Sequence, residues 1–257
     1  MDLGLQGRTA LVVASTGGLG RATAEALGRE GANVVVTGRR ADAAAAVASG
    51  LPSAIGVALD IRDARSRQNA VRAAEDRFGP IDVLVVNGPG PKPQTAAALS
   101  ADEAGAAFDD LVRPGVDLIS HVLPGMRERR WGRVLAIGSS GIVAPLAGLV
   151  TSNLGRAALA GYLKTLAGEV AADGVTVNLL LPGRIATPRV EGLDQAGADR
   201  QGLDVDEVRR RSTALIPAGR YGRPEEFGAM AAVLCSSIAS YVTGAAIRCD
   251  GGLVQAL

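Results

Sequence analysis

Cysteine, aromatic residues and net charge are all scarce in this sequence. Its two cysteines, Cys235 and Cys249, are too few for a disulfide framework and favour a reducing compartment. Aromatic residues make up 3% of the chain, which argues against a nucleic-acid partner bound by base stacking. The 27 basic and 26 acidic residues leave a formal net charge of +1, so we expect no attraction to nucleic acid or to an anionic membrane.

Long hydrophobic runs are also missing. The first residues, MDLGLQGRTALVV, contain no basic leader region, and their apolar run is short and passes directly into glycines. They indicate neither a signal peptide nor a membrane span, and we expect a cytoplasmic protein. Hydrophobic residues still make up 47% of the 257-residue chain, which suffices for the core of one undivided α/β domain.

Short apolar segments alternate with longer helical ones along almost the whole chain. Segments that are apolar on every residue are typical of strands buried on both faces of a parallel sheet. Strict strand–helix alternation is typical of a doubly wound sheet. No change in composition resembles a linker, so we predict a single α/β domain, Rossmann-like and doubly wound, over 1–257. The predicted strands are TALVV (9–13), NVVVT (33–37), AIGVAL (54–59), DVLVV (82–86), RVLAI (133–137), VTVNLLL (175–181) and AAIRC (245–249).

One long connection interrupts this alternation at 188–220. It follows a predicted strand and is polar, with parts that read as helix. Connections of this length are usually lids or binding loops, so we predict a lid or substrate loop here. A mobile excursion without function is the alternative.

A glycine-rich turn follows the first predicted strand. The stretch VVASTGGLGRATAEA (12–26) contains Gly17, Gly18 and Gly20 directly before a helix. In a βαβ unit such a turn brings the backbone close to a pyrophosphate at the helix N-terminus, where free N–H groups favour anions. Glycines also serve tight turns, but the position after a first strand favours a dinucleotide site.

The end of the second predicted strand, VVVTGRR (34–40), bears on the kind of dinucleotide. A carboxylate at this point would accept a hydrogen bond from the adenosine ribose, and none is present. Gly38 leaves room, and Arg39 or Arg40 is suited to a 2′-phosphate. We therefore predict NADP(H) in preference to NAD(H). The alternative is that both arginines are simply solvated.

At this point the chain resembles the short-chain dehydrogenase/reductase family, over nearly its whole length. The resemblance implies a seven-stranded parallel sheet, nicotinamide cofactor binding and an oligomer, usually a homotetramer built on four-helix contacts, with a homodimer as the smaller alternative. The matching stretches are the turn at 14–20, ALDIRD (58–63), VLVVNGPG (83–90), RVLAIGSSG (133–141), GVTVNLLLPGRIATP (174–188), GRYGRPEEF (219–227) and YVTGAAIRCDGG (241–252).

Carried over residue by residue, the resemblance implies a cofactor site that is mostly intact. Asp60 matches the acid that contacts the adenine amine, Asn87 matches the second asparagine of an Asn-Asn-Ala-Gly run, and 182–187 matches the segment that orients the carboxamide. Two positions depart from the pattern, with Ala14 in place of a glycine and Val86 in place of the first asparagine. The full predicted cofactor set is Ser15, Gly18, Leu19, Gly20, Arg39, Asp60, Ile61, Asn87, Arg156, Pro182, Gly183, Ile185 and Thr187.

The catalytic positions implied by the resemblance are altered. Family members use a serine, a tyrosine thirteen residues later and a lysine four residues beyond it. This chain has Ser139, Ser152 and Arg156 there, and the family's helical asparagine aligns loosely near Leu111. The spacing of four places residues 152 and 156 on one helix face. We predict Ser139, Ser152 and Arg156 as the catalytic set, without a metal ion.

The replacements change the chemistry of proton transfer. A serine hydroxyl is a far weaker acid than a phenol, whose unperturbed pKa is about 10, and arginine stays protonated. The pair is suited to binding and polarising an oxygen but not to general-acid catalysis. Other candidates read as structural or solvated, namely Tyr162, His121 and, with a minority case for substrate contact, Lys92. The run EVRRRS (207–212) is compatible with an anionic substrate such as a carrier-bound acyl thioester, but a solvated helix face is the favoured interpretation.

Three functions follow from these patterns. The first is an NADP(H)-dependent oxidoreductase acting on a small carbonyl or alcohol, similar to a 3-oxoacyl reductase, with an altered proton-transfer site. The second is a cofactor-binding but redox-inactive protein with a regulatory or scaffold role. The third is non-redox chemistry, such as dehydration or isomerisation, on the same fold. Fold kinship alone does not select the substrate.

Overall fold

Seven short apolar segments form one parallel sheet at the centre of the molecule. The computed structural model describes residues 2–256, and its sheet has the order β3-β2-β1-β4-β5-β6-β7 with every neighbouring pair parallel. The predicted doubly wound α/β fold is therefore confirmed, and each predicted strand agrees within a residue or so. The strands are β1 (Thr9–Val12), β2 (Asn33–Gly38), β3 (Ala54–Ala58), β4 (Val83–Val86), β5 (Gly132–Ile137), β6 (Val175–Pro182) and β7 (Ala246–Cys249).

Burial along the strands depends on their place in the sheet. The inner strands are buried almost throughout, because helices cover both faces. The prediction of burial on both faces is wrong for the two edge strands. Most of β3 is only partly buried and β7 alternates between exposed and partly buried positions, because an edge strand has a neighbour on one side only.

Nine helices of at least eight residues are found within residues 2–256, and six of them cover the two faces of the sheet. One face of the sheet is covered by α3, α5 and α6 through a cluster that includes Val71, Ile119 and Leu163. The other is covered by α1, α2 and α9, with Leu27 and Phe227 fully buried. The helices are α1 (Gly18–Arg29), α2 (Ala41–Ala48), α3 (Ala64–Phe78), α4 (Ala101–Leu111), α5 (Arg113–Glu128), α6 (Val150–Val170), α7 (Pro188–Gln201), α8 (Val205–Ala214) and α9 (Pro224–Leu234).

The strand order locates the crevice in which a ligand can bind. Strand β1 lies between β2 and β4, so the chain reverses its direction of winding at the β1–β4 pair. In open α/β sheets the crevice lies outside the carboxyl ends of the strands at this point. The segments that follow β1, β4, β5 and β6 meet there.

The long connection at 188–220 contains two helices, α7 and α8, anchored by one buried carboxylate. Asp194 is 1% exposed and accepts hydrogen bonds from Arg184 Nη1 at 2.7 Å and from the Tyr221 hydroxyl at 3.1 Å. Arg209 of α8 lies 3.8 Å from the same carboxylate. Both helices are therefore fixed to the chain on either side of them.

Across residues 2–256, none of the helices combines the length and the apolar character needed to traverse a bilayer.

Candidate active site

The glycine-rich turn brings helix α1 very close to the end of β1. A Cβ atom on Gly20 would lie 2.4 Å from Ala14 O and 2.8 Å from Asn87 Nδ2, and Asn87 Nδ2 donates to Ala14 O at 3.2 Å. Gly18 has φ +55°, a left-handed conformation that glycine adopts without strain. The close contacts and this conformation explain why glycine occupies both positions.

Ala14 has φ +50°, in the left-handed region that costs an L-residue about 1–2 kcal/mol. The departure from the family pattern therefore falls at a position where the backbone itself favours glycine. Ala14 N still donates to Thr37 Oγ1 at 3.1 Å and Ala14 O accepts from Asn87. The turn is thus retained in a strained form.

The N-terminus of α1 is suited to an anion. The first helical hydrogen bond is from Arg21 N to Gly17 O at 3.2 Å, so the earlier N–H groups of the helix have no partner of this type. Gly17 caps the helix without a side chain, and no acidic residue lies in the first turn. Thr187, which follows β6, comes within 3.9 Å of a Cβ built on Gly18. These features fit the pyrophosphate of a dinucleotide.

Ser15 and Leu19 support this turn from inside. Ser15 is fully buried, and its hydroxyl donates to Val12 O at 2.7 Å and accepts from Thr37 N at 2.9 Å. Leu19 packs against the core on the α1 side of the sheet. Their predicted contact with a cofactor stays a prediction, and the Ser15 hydroxyl is already engaged within the protein.

The end of β2 is more crowded than the sequence suggests. A Cβ on Gly38 would lie 2.5 Å from Thr16 Cγ2, so the side chain of Thr16 fills the space that Gly38 was expected to leave for a ligand. Arg39 and Arg40 are both exposed, and within residues 2–256 neither forms an ion pair. Their guanidinium groups are therefore free to bind a phosphate.

Asp60 and Ile61 follow β3 in a loop that is held from beneath. Asp60 Oδ1 accepts from Arg62 N at 3.0 Å, and Ile61 O accepts from Arg67 Nη1 at 2.6 Å. Arg67 is 3% exposed and is paired with Asp117 of α5. This buried ion pair fixes the loop at the rim of the crevice.

The segment after β6 is built from close backbone contacts. Gly183 N donates to Cys249 O at 3.0 Å, and Ile185 is 3% exposed. Thr187 Oγ1 donates to Ile185 O at 3.2 Å and accepts from Val190 N at 3.4 Å, so it caps α7. Pro182 ends β6. The four predicted residues thus form one ordered turn between β6 and α7.

The three predicted catalytic residues gather around the carboxyl end of β5. Ser139 stands two residues beyond that strand, and its hydroxyl accepts from Gly141 N at 3.1 Å. Ser152 lies in the first turn of α6 and is 8% exposed. Arg156 lies one turn later, and its Nη1 donates to Ile137 O, the last residue of β5, at 2.6 Å. Arg156 thus reaches the end of β5, and a joint catalytic role for the three residues stays a prediction.

The electrostatics of the group differ from those of a tyrosine–lysine pair. Burial and, to a lesser extent, the nearby positive charge of Arg189 together lower the pKa of Arg156 to about 10. Arg156 therefore remains charged at neutral pH. Next to Ser152, the buried Thr151 Oγ1 has no hydrogen-bond partner within residues 2–256. The start of α6 is thus rich in polar groups that can bind a ligand oxygen.

The remaining candidates do not join this group. Tyr162 packs against the core, and burial raises the pKa of its phenol. His121 Nε2 lies 3.9 Å from Asp117 on α5, and Lys92 is exposed. Leu111 packs closely on Gly155. In the run 207–212, arginine side chains pair with Glu207, Asp206 and Asp194, so it provides no free anion site.

One residue of this region was not anticipated from the sequence. Arg189, in the first turn of α7, reaches across to the loop after β4, where its Nη2 donates to Pro91 O at 2.6 Å. A Cβ on Gly90 would lie 2.6 Å from Arg189 Nε, so a side chain at position 90 would displace the guanidinium. The only sequence signal is its position two residues after Thr187, which is too common an arrangement to single it out.

Comparison with known proteins agrees with this architecture. A family model described as enoyl-(acyl carrier protein) reductase matches residues 13–254. The 3-oxoacyl-[acyl-carrier-protein] reductase FabG of Vibrio harveyi is 32% identical over 252 residues, covering 98% of this chain and 99% of that protein. D-beta-hydroxybutyrate dehydrogenase of Cupriavidus necator is 34% identical over 262 residues, covering 97% and 99%.

A solved structure is similar over the full length. L-sorbose reductase from Gluconobacter frateurii, solved as a complex with NADPH and L-sorbose, superposes with a TM-score of 0.93 at 30% identity and covers 100% of both chains. The fold and the crevice thus define a class of dinucleotide-dependent oxidoreductases. The chain belongs to the short-chain dehydrogenase/reductase family.

Proposed function

We propose that the protein is an NADP(H)-dependent oxidoreductase that interconverts a carbonyl and an alcohol, with an altered proton-transfer site. One observation carries this proposal. The anion-binding turn at α1 and the polar group Ser139, Ser152 and Arg156 open on the same crevice, at the carboxyl ends of β1 and β5.

The crevice fits a dinucleotide residue by residue. The N–H groups at the start of α1 and Thr187 would bind the pyrophosphate, Asp60 and Ile61 the adenine, and Asn87 with 182–187 the nicotinamide end. When bound, NADPH supplies the hydride that reduces the carbonyl carbon. The protein supplies position and electrostatics.

The preference for NADP(H) rests on Arg39 and Arg40. Both are exposed and free of ion pairs within residues 2–256, at the strand end where the adenosine ribose lies in this fold. A guanidinium at that point favours a 2′-phosphate. The similar L-sorbose reductase was solved with NADPH, which supports the same choice.

Proton transfer would differ from that of a tyrosine enzyme. In reduction, the carbonyl oxygen gains negative charge, which the hydroxyls of Ser139 and Ser152 and the charge of Arg156 stabilise. A serine hydroxyl does not itself act as the acid near neutral pH. The proton therefore comes from water relayed through the two hydroxyls, or from an acidic group of the substrate.

The substrate would enter beside 188–220, which we assign as the lid and substrate loop. Its anchoring at Asp194 leaves the start of α7 facing the crevice. The relatives named 3-oxoacyl-[acyl-carrier-protein] reductase make a 3-oxoacyl-like compound a reasonable first substrate class.

The oligomer would be a homotetramer or a homodimer. Helices α4 and α6 pack on each other and leave Phe108 and Leu154 48% and 44% exposed. Large apolar side chains exposed on adjacent helices favour burial against a second copy.

A redox-inactive role is favoured by a different observation. The Arg156 guanidinium already donates to Ile137 O, and neither Ser152 nor Arg156 can perform the proton transfer of tyrosine and lysine. A protein that binds the cofactor without turnover, or one that dehydrates or isomerises its substrate, would show the same geometry.

The deciding experiment restores the family residues. We expect the wild type to oxidise NADPH slowly with small ketones, and Ser152→Tyr with Arg156→Lys to raise kcat by about two to four orders of magnitude, the usual contribution of general acid–base catalysis. NADPH consumption at saturating cofactor measures this, and NADPH fluorescence measures binding. Tight NADPH binding without turnover in either protein would favour the redox-inactive role.

A further inference from the structure

Two arginines face the crevice, and neither has a carboxylate partner within residues 2–256. Arg156 donates to Ile137 O at 2.6 Å and Arg189 donates to Pro91 O at 2.6 Å. These are backbone carbonyls, which position a guanidinium but do not neutralise it. Each guanidinium has five N–H donors, and one hydrogen bond of each is present within residues 2–256. Most of their donors remain available.

This lack of neutralisation contrasts with the surrounding arginines. Arg184 pairs with Asp194 at 2.7 Å, and Arg220 pairs with Glu226 at 2.7 Å. These two are the nearest paired arginines along the chain on either side of α7 and α8. Arg156 and Arg189 are thus the uncompensated arginines of this region that lie at the crevice, within residues 2–256.

The two guanidiniums are held beside two neighbouring strands, β4 and β5. Arg156 contacts Ile137, which ends β5 and lies two residues before Ser139. Arg189 contacts Pro91 in the loop that follows β4. The two charges are close enough for Arg189 to lower the pKa of Arg156. Partial burial also lowers the pKa of both groups, although the Arg189 side chain is exposed in part. An anion between the two guanidiniums would reduce the repulsion between their positive charges and would take the place of water that burial removes.

We propose that the natural substrate is an oxo acid or hydroxy acid, whose free carboxylate is bound by Arg189 with support from the charge of Arg156. The planar guanidinium matches a carboxylate with two parallel hydrogen bonds. This inference rests on the proposed carbonyl–alcohol function, because it names the substrate class of the same site.

A cofactor phosphate is a less suitable partner for Arg189. The pyrophosphate site lies at the N-terminus of α1, where the free N–H groups and the glycines are. The Arg189 guanidinium instead contacts 90–91, beyond Asn87 at the end of β4. That loop follows the residue expected at the nicotinamide end, which is where the substrate binds.

The test compares two ketone substrates, one with a charged carboxylate and one in which that carboxylate is a neutral ester. Acetoacetate and methyl acetoacetate present the same ketone, with a free carboxylate in one and a neutral ester in the other. We expect the wild type to favour acetoacetate in kcat/KM by about tenfold or more, the effect of one charge-assisted pair. In Arg189→Gln this ratio should fall by about 10- to 100-fold through KM, and Arg189→Lys should restore part of it.

The matched control is Arg200→Gln. Arg200 lies on the same helix as Arg189, is exposed and has no ion pair within residues 2–256. Its removal changes the net charge of the protein equally, so the substrate ratio should stay within about twofold. A fall in the ratio with Arg200→Gln equal to that with Arg189→Gln would overturn the specific role of Arg189.

A binding measurement separates this inference from the proposed function. Calorimetry of 3-hydroxybutyrate against the protein saturated with NADP⁺ should show binding that weakens about 10- to 100-fold in Arg189→Gln, while the affinity for NADP⁺ changes less than threefold. If methyl acetoacetate is reduced as well as acetoacetate, the inference is overturned, and the proposed oxidoreductase function is still supported. Binding of the acid that depends on Arg189, without turnover of either ketone, would support the anion site and overturn the oxidoreductase function. Equal weakening of NADP⁺ and acid would assign Arg189 to the cofactor and overturn the inference.

Discussion

Replacing Gly20 by alanine tests whether the glycine-rich turn has the geometry described above. The added Cβ would lie 2.4 Å from Ala14 O and 2.8 Å from Asn87 Nδ2. Because the first contact is with backbone, no side-chain rotation relieves it. Helix α1 and the end of β1 would have to separate by about 0.6 Å or more to restore even a tight contact of 3.0 Å.

The size of the effect follows from this displacement. Overpacking a close contact of this kind costs about 1–3 kcal/mol, and the helix propensity of alanine returns less than about 1 kcal/mol of it. For a protein of this length each kcal/mol corresponds to about 2–4 °C in Tm, so we expect Tm to fall by about 2–10 °C. Moving the helix N-terminus away from the pyrophosphate site should also raise the Kd for NADPH by about tenfold or more.

The assay is thermal unfolding followed by circular dichroism, together with titration of NADPH fluorescence. Gly17→Ala is the control for stability, because Gly17 has φ −168° and a Cβ there meets nothing within 4 Å. Its Tm should change by less than about 2 °C. An unchanged Tm and an unchanged NADPH affinity in Gly20→Ala would show that the turn is not packed as described.

Three further results are expected. Asp194→Asn removes the charge of a carboxylate that is 1% exposed and bound to Arg184. The free energy of unfolding, measured in urea, should therefore fall by about 3–5 kcal/mol. The control is Asp199→Asn at an exposed position, and an equal loss in both variants would refute the anchoring role of Asp194. Arg39→Ser should raise the Kd for NADPH about 10- to 100-fold and leave that for NADH within threefold, and equal effects on both would contradict the phosphate assignment. Arginine side chains and a backbone N–H lower the pKa of Glu226 to about 2. Its contribution to stability is therefore present above the unfolded-state pKa of about 4.3 and is lost as the pH falls toward 2. Glu226→Gln should therefore make Tm fall less steeply at acid pH, and a Tm–pH profile identical to that of the wild type would contradict this.

The candidate site was predictable where its residues follow strands directly. Asn87 follows β4 directly, and Gly18 and Gly20 open the helix that comes after β1; hydrophobic pattern alone identified both strands. Arg156 of α6 contacts Ile137 at the end of β5, two residues before Ser139, and the catalytic role of the pair stays a prediction. What such residues touch was harder to anticipate. Nothing in the sequence indicated that Thr16 would fill the space beside Gly38.

The sequence by itself determined the parallel sheet, the order of its elements and the position of the anion-binding turn. These depend on alternation, on local burial and on where glycine is tolerated, which are properties of short stretches. Only the tertiary structure decided which charges are neutralised. Arg209 looks available in the sequence, yet Asp194 of α7 lies 3.8 Å from it, whereas Arg189 at the crevice has no ion pair within residues 2–256. Ion pairing and desolvation depend on distant segments meeting in space, and no local pattern encodes that.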